Sequence, residues 1–323
     1  MTSTVYQHFI GIDIGKFEMV VAVYGHSRTQ TFDNTPLGWR AVVKTFKSQL
    51  LNALVILETT GHYELGVLLY LNSCQYAVHR ANTRHVKHFI YSRGQNAKTD
   101  TLDAHALARY GYERHAELPL FTANPKALKL YELAQRRLDL KKIIVQEKNR
   151  FKAPSLSEIV QKSCERILKA LQKELDTIDN KLQSLIEADP EFKAKQEVLQ
   201  TIPGIGPITS RELLCFMPEL GTLNQKQVAS LAGLAPYVKQ SGCFKGQARI
   251  KGGRKEVRNS LFMAAMAARK SHSRFKTFYE ILHAKGKKPM VILTALMRKL
   301  IVIANAKLKE CLSDKALNLQ AFC

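Results

Sequence analysis

The chain has 323 residues, 46% of them hydrophobic, with 49 Lys/Arg against 27 Asp/Glu and a formal charge of +22. That length suits two domains with buried cores, and a basic surplus of that size points to nucleic acid before an acidic protein partner. The six cysteines (Cys74, Cys164, Cys215, Cys243, Cys311, Cys323) form no CxxC pair and no zinc-ligand spacing, so neither a disulfide framework nor a zinc site is indicated.

At the N-terminus, residues 1–8 lack the basic and apolar regions of a signal peptide. No run of about 18 apolar residues reads as a membrane span. The expected setting is therefore reducing and cytoplasmic, associated with the nucleoid, with no membrane partner. Phe9–Asp13 and Met19–Tyr24 are apolar and β-branched, and Gly15–Glu18 between them predicts a hairpin turn. Thr29–Phe32 follows as a third strand. Leu37–Leu50 has helical periodicity through Trp39, Val42, Val43, Phe46 and Leu50, and Leu54–Leu57 reads as a short buried strand. Helix is expected over His62–Asn72, strand over Tyr76–His79 and helix over Asp100–Arg114. Three early strands followed by alternating helices and strands predict an α/β domain, residues 1–118, with a mixed sheet in the order of the ribonuclease-H-like fold.

A helical middle, residues 119–195, opens at Pro125 and is interrupted at Pro154. Beyond it Leu168, Leu171, Leu175, Ile178, Leu182 and Leu185 alternate steps of three and four, a heptad seam that suits either a coiled coil with a second chain or a helical hairpin within this one. Pro190 marks its end. The last unit, residues 196–323, is expected to be mainly helical, with a Gly-, Lys- and Arg-rich loop or hairpin at Ala235–Gly253. Charge is divided unequally: residues 1–120 carry 12 Lys/Arg against 9 Asp/Glu, and residues 121–323 carry 37 against 18. A near-neutral catalytic half joined to a half that meets a polyanion is the simplest reading.

Four acids stand beside apolar runs. Asp13 and Glu58 end predicted strands, and Asp100 and Asp103 share one face of a predicted helix. Acids in such places are costly unless paired or bound to a cation, and magnesium, as one ion or a pair, takes carboxylate oxygen. In Ile202-Pro-Gly204-Ile-Gly206, a Gly-x-Gly turn opens a helix, as in helix-hairpin-helix DNA binders, and its backbone N–H groups suit a phosphate. A third run places Ser241 among Lys239, Lys245, Arg249, Lys251, Arg254, Lys255 and Arg258. Such cations neutralise phosphates, and a serine among them has the chemistry of a nucleophile, although polar-loop serines are commonly turn residues.

Ile10-Gly-Ile-Asp13, Leu57-Glu58-Thr-Thr-Gly61, Lys98-Thr-Asp100-Thr-Leu-Asp103-Ala104, Ile202-Pro-Gly-Ile-Gly206 and Gly233-Leu-Ala-Pro236 with Gln240-Ser241-Gly242 occur in register over nearly the whole chain. In this the chain resembles the Piv/MooV-type DEDD recombinases, the transposases of the insertion-sequence family numbered one hundred and ten. The resemblance implies a RuvC-like domain holding magnesium through Asp13, Glu58, Asp100 and Asp103, and a transposase domain in which Ser241 forms a covalent 5′-phosphoserine link to DNA. It also implies donor and target double-stranded DNA, a structured bridge RNA as guide, and a homo-oligomer, dimer to tetramer, with an active site composed between protomers. Thr59 is a local departure where a small residue such as alanine is expected. Three other readings share parts of this pattern: a junction resolvase hydrolysing DNA with activated water, an actin-like kinase suggested by Gly11-Ile-Asp13-Ile-Gly15, and an architectural nucleic-acid binder.

Overall fold

The structure is a computed structural model, which describes residues 6–61, 63–94, 99–154, 156–238, 240–241, 244–246, 248–271 and 273–320. The chain divides into two compact units, residues 1–124 and 125–323.

The first unit is built on a five-stranded mixed sheet in the order β3-β2-β1-β4-β5, compatible with a ribonuclease-H-like domain. The strands are β1 (His8–Ile14), β2 (Glu18–Val23), β3 (Thr29–Asp33), β4 (Ala53–Glu58) and β5 (Ala77–Ala81). The first three form an antiparallel meander, while β4 and β5 add in parallel on the far side of β1. The predicted hairpin turn closes with the Gly15 N–H donating to the Glu18 carbonyl at 2.8 Å. Alternation along β1 sends Ile10, Ile12 and Ile14 to one face, where α1 (Pro36–Thr45), α2 (Lys47–Leu50) and α3 (Leu65–Ser73) cover them through Val42, Phe46, Leu50, Leu68 and Leu71. The single helix expected over Leu37–Leu50 is broken at Phe46, which caps α1 with backbone outside the helical region.

Phe9, Gly11 and Asp13 face the other way, towards α4 (Thr83–Ser92) and α5 (Asp100–Arg114). The latter crosses β1, β2 and β4. It comes so close at Gly11 that a Cβ there would lie 2.1 Å from the Ala104 carbonyl oxygen and 2.4 Å from the Ala108 nitrogen. Any side chain at Gly11 therefore lifts the helix off the sheet. The spacing of the strands did not announce α4. Its sequence is rich in His and β-branched or aromatic residues, but the Asn82 N-cap and the Val86, Phe89, Ile90 spacing carry the signal.

The second unit is helical: α6 (Pro125–Phe151), α7 (Glu158–Glu187), α8 (Pro190–Gln200), α9 (Pro207–Phe216), α10 (Gln225–Leu231), α11 (Lys255–Ala268), α12 (Arg274–Ala284) and α13 (Pro289–Gln320). The heptad seam packs within the chain. Leu168, Leu171, Leu175 and Ile178 meet Leu140 and Ile144 of α6, and Leu182 and Ile186 join Leu130 and Ala134 in the main core, so α6 and α7 form an antiparallel hairpin. A buried polar knot ties that hairpin to the remaining helices. The Arg137 guanidinium donates to Asp179 at 2.6 Å and to Glu212 at 2.8 Å, Arg211 also reaches Asp179, and Ser260 donates to Glu212. Helix α13 contains a stretch, Pro289–Leu312, long and apolar enough to cross a membrane. Arg298 and Lys299 interrupt it, so it holds no unbroken run of about 18 apolar residues. Leu293, Leu296, Leu300, Ala304 and Leu308 are buried in the core of this unit.

Trp39, the single tryptophan, lies in the first unit and reports its unfolding. Gly11→Ala should lower the thermal midpoint followed by its fluorescence by about 4–10 °C, the range expected for overpacking a tight helix–sheet contact. An unchanged midpoint would mean that the close approach of α5 is not enforced.

Candidate active site

Two parallel strands bring the first two acids side by side. Ile12 pairs with Leu57, and both point into the core beneath α1 and α3; the next residues, Asp13 and Glu58, therefore turn to the α5 face. Helix α5 begins over that edge. Thr99 caps it by accepting from the Leu102 N–H, and Asp100 and Asp103 occupy its first turn, where the helix dipole favours negative charge. All four acids line one cavity of about 430 Å³, together with Glu18, Thr60 and the β1–β2 turn.

The carboxylates feel one another. Burial, and then the charges of Asp103, Asp100 and Glu58, push Asp13 up to about 6 from its ordinary 3.8, against the opposing pull of a hydrogen bond with the Ile14 backbone. Among the described residues, no three His, Cys, Asp or Glu side chains stand together closely enough to hold an ion as placed. The donor set itself is all carboxylate, which suits a hard divalent cation over a soft one.

The segment after Glu58 is fixed by groups that the sequence reading did not single out. Glu64 is fully buried at the head of α3, pairs with Arg80 of β5 at 2.5 Å and accepts from the Thr60 N–H at 3.1 Å. Burial alone would raise its pKa, but the Arg80 guanidinium and the Thr60 N–H hold the carboxyl below its ordinary value. Thr59, the departure from the expected small residue, donates its hydroxyl to the Ala81 carbonyl at 2.8 Å and so stitches the end of β4 to β5. A charged residue at the start of an otherwise apolar helix was the available signal for Glu64.

Ser241 belongs to the second unit. It is exposed on the short strand β7 (Gln240–Ser241), paired with β8 (Phe244–Lys245), and the flanking pair β6 (Pro236–Tyr237) and β9 (Arg249–Ile250) completes the expected hairpin region. Lys239 lies outside the described residues, as does the Lys245 side chain. Arg249, Lys251 and Lys255 are exposed. Two other predicted phosphate ligands have internal partners. Arg254 makes a two-pronged pair with Glu219, 2.6 Å on each prong, and Arg258 donates to the Gly252 carbonyl at 2.6 Å. They anchor the base of the serine-bearing segment. Gly204 likewise has a packing reason: its φ is +93°, and a Cβ there would lie 2.5 Å from the Ala264 carbonyl oxygen of α11. Gly206 is exposed and caps α9.

A profile of the DEDD transposases of the IS110 type matches residues 10–160, and one described as transposase, IS116/IS110/IS902 family, matches residues 196–280. The chain is 31% identical over 314 residues to the pilin gene-inverting proteins of Moraxella bovis and Moraxella lacunata, covering 94% of this chain and 96% of each relative. The chain belongs to the IS110-type DEDD transposase family. It is also similar to an uncharacterised 43.6 kDa protein of insertion element IS110 from Streptomyces coelicolor, 28% identical over 208 residues, 64% of this chain and 49% of that one. Membership places the protein among the enzymes of DNA recombination.

The raised Asp13 has a consequence for stability. A carboxyl whose folded pKa lies above its unfolded one favours folding below the unfolded value, and that contribution is lost as pH rises through about 6. In chelator, Asp13→Asn should therefore raise the midpoint reported by Trp39 by about 2–5 °C at pH 7.5 and leave it unchanged near pH 4. A fall at pH 7.5 would contradict the crowding of negative charge.

Proposed function

We propose that this transposase cuts and rejoins DNA by strand exchange, with Ser241 as nucleophile and the four carboxylates as the seat of divalent-cation chemistry. The observation that carries the reading is that Asp13, Glu58, Asp100 and Asp103, drawn from two strands and a helix, line one cavity although their charges repel. Evolutionary kinship with site-specific inverting proteins agrees with it. Asp13 and Glu58 at the strand ends and Asp100 and Asp103 on α5 would hold Mg2+, two ions in the fullest case. When bound, it supplies positive charge that stabilises the attacking and leaving oxygens of a phosphoryl transfer.

The chain's own part is as follows. The Ser241 Oγ attacks the scissile phosphorus, its proton passes to solvent or a nearby base, the P–O3′ bond breaks, and the departing O3′ takes up a proton. A 5′-phosphoserine ester and a free 3′-hydroxyl result. Because one phosphate ester replaces another, a second 3′-hydroxyl reverses the step without an external energy source. Exposed Arg249, Lys251 and Lys255 hold neighbouring phosphates, and Gly206 at the start of α9 offers a further backbone contact. Substrates are donor and target duplexes, brought into register by a structured guide RNA and by two to four copies of the chain, in the compartment that holds the chromosome.

Ser241→Ala should abolish the denaturant-resistant protein–DNA adduct while duplex affinity stays within about threefold, since an uncharged hydroxyl contributes little to phosphate binding. Asp103→Asn should lower strand cleavage by at least about a hundredfold. Cleavage by the serine variant without an adduct would identify a hydrolytic nuclease instead, and an adduct persisting in that variant would remove Ser241 from the reaction.

A further inference from the structure

The cavity of the four acids has a second lining that metal chemistry does not use. Lys16 and Phe17 reach it from the turn between β1 and β2, and Lys87 and Tyr91, one helical turn apart, reach it from α4. Phe17 is 76% exposed and Tyr91 61%. The Lys16 ammonium stands 4.9 Å from the centre of the Phe17 ring, so cation and ring present themselves together. Two large rings left in water beside a cavity that is otherwise strongly acidic are not explained by packing of the first unit, whose cores close without them.

The ligand that fits has flat π-faces and negative charge at regular spacing. A nucleic-acid strand has both, but a base pair inside a duplex hides its faces in the stack. Stacking on side chains is open only to bases that are unpaired. At about 430 Å³ the cavity has room for single nucleotides. We propose that Phe17 and Tyr91, with Lys16 and Lys87, form a clamp that holds unpaired DNA bases beside the scissile phosphate. The rings stack on the bases, and the two ammonium groups meet the adjoining phosphates and offset their repulsion by the acids. The clamp rests on the reading of the acids as the seat of DNA cleavage. It adds a requirement that reading lacks: the duplex must open locally before it is cut. All four residues act by positioning the strand.

The test uses the full-length protein in calcium-containing buffer, with a single-stranded DNA oligonucleotide carrying 2-aminopurine and a fully paired duplex of the same sequence as probes. The double variant Phe17→Ala/Tyr91→Ala should bind the single strand at least about tenfold more weakly and lose the quenching of 2-aminopurine, while duplex affinity changes less than twofold. Phe17→Tyr/Tyr91→Phe, which keeps both π-faces, should restore both signals. Lys16→Ala/Lys87→Ala should weaken single-strand binding and flatten its salt dependence with quenching retained at saturation. Unchanged quenching in the alanine variant, equal losses on single strand and duplex, or quenching confined to an RNA strand of the same sequence would each overturn the clamp. Trp39 fluorescence verifies that the variants fold. Absence of a covalent adduct in the wild type would count against the nucleophile assignment alone, because the quenching is read without cleavage.

Discussion

The close approach of α5 to β1 at Gly11 is the constraint on which the candidate site depends. The helix backbone rests where a side chain would have stood, so its first turn is carried to the edge from which Asp13 and Glu58 project. Ala104 and Ala108 make the matching concession on the helix, and Ala104 is buried with Val20 and Ala22 of β2. Widening the gap by one methyl group would move two of the four acids together, because Asp100 and Asp103 are fixed to each other by one helical turn. Small residues in the middle of a strand and a helix thus set the geometry of charged residues at their ends. Glu64 and Arg80 do the complementary work behind β4, holding the segment that follows Glu58 through Thr60.

In the second unit the organising interaction is polar. Arg137 is buried between Asp179 and Glu212, so one guanidinium joins the hairpin of α6 and α7 to α9, and Ser260 extends the link to α11. Burying such charges costs more than burying apolar side chains of similar volume, but a knot of paired ions accepts few alternative packings. That is useful where long helices with heptad seams have several registers open to them. Arg254 extends the same logic to the surface. By engaging Glu219 and the Phe216 carbonyl it anchors one end of the segment bearing Ser241, which has only two-residue strands to order it.

Much of the first unit was legible because its signals are local. Asp100–Arg114 has a threonine cap, acids in its first turn and continuous helix formers, and the helix has those bounds. The three early strands are runs of β-branched residues closed by a glycine turn, and they pair as expected. What stayed hidden depended on partners far away in the chain. The heptad seam is compatible with a second chain or with α6, and the choice lies in Leu140 and Ile144, some 30 residues upstream. Arg254 and Arg258 look like phosphate ligands until Glu219 and the Gly252 carbonyl are seen to meet them. Gly204 reads as a phosphate-loop glycine, but the demand on it comes from α11, 60 residues downstream. Composition gives the number of cations; it does not say which are already spoken for.

That distinction bears on how an acidic cavity works in a chain of charge +22. At physiological salt the screening length is about 8 Å, so the basic surplus of residues 121–323 serves to draw in a polyanion, while a phosphate already at the carboxylates responds chiefly to charges close beside it. Capture and chemistry are thus separate electrostatic problems. The first is met by number, with 37 Lys/Arg over 203 residues, where losing one contact matters little. The second is met by placement. Lys16 and Lys87 line the cavity of the acids itself, so they act on a phosphate there at short range.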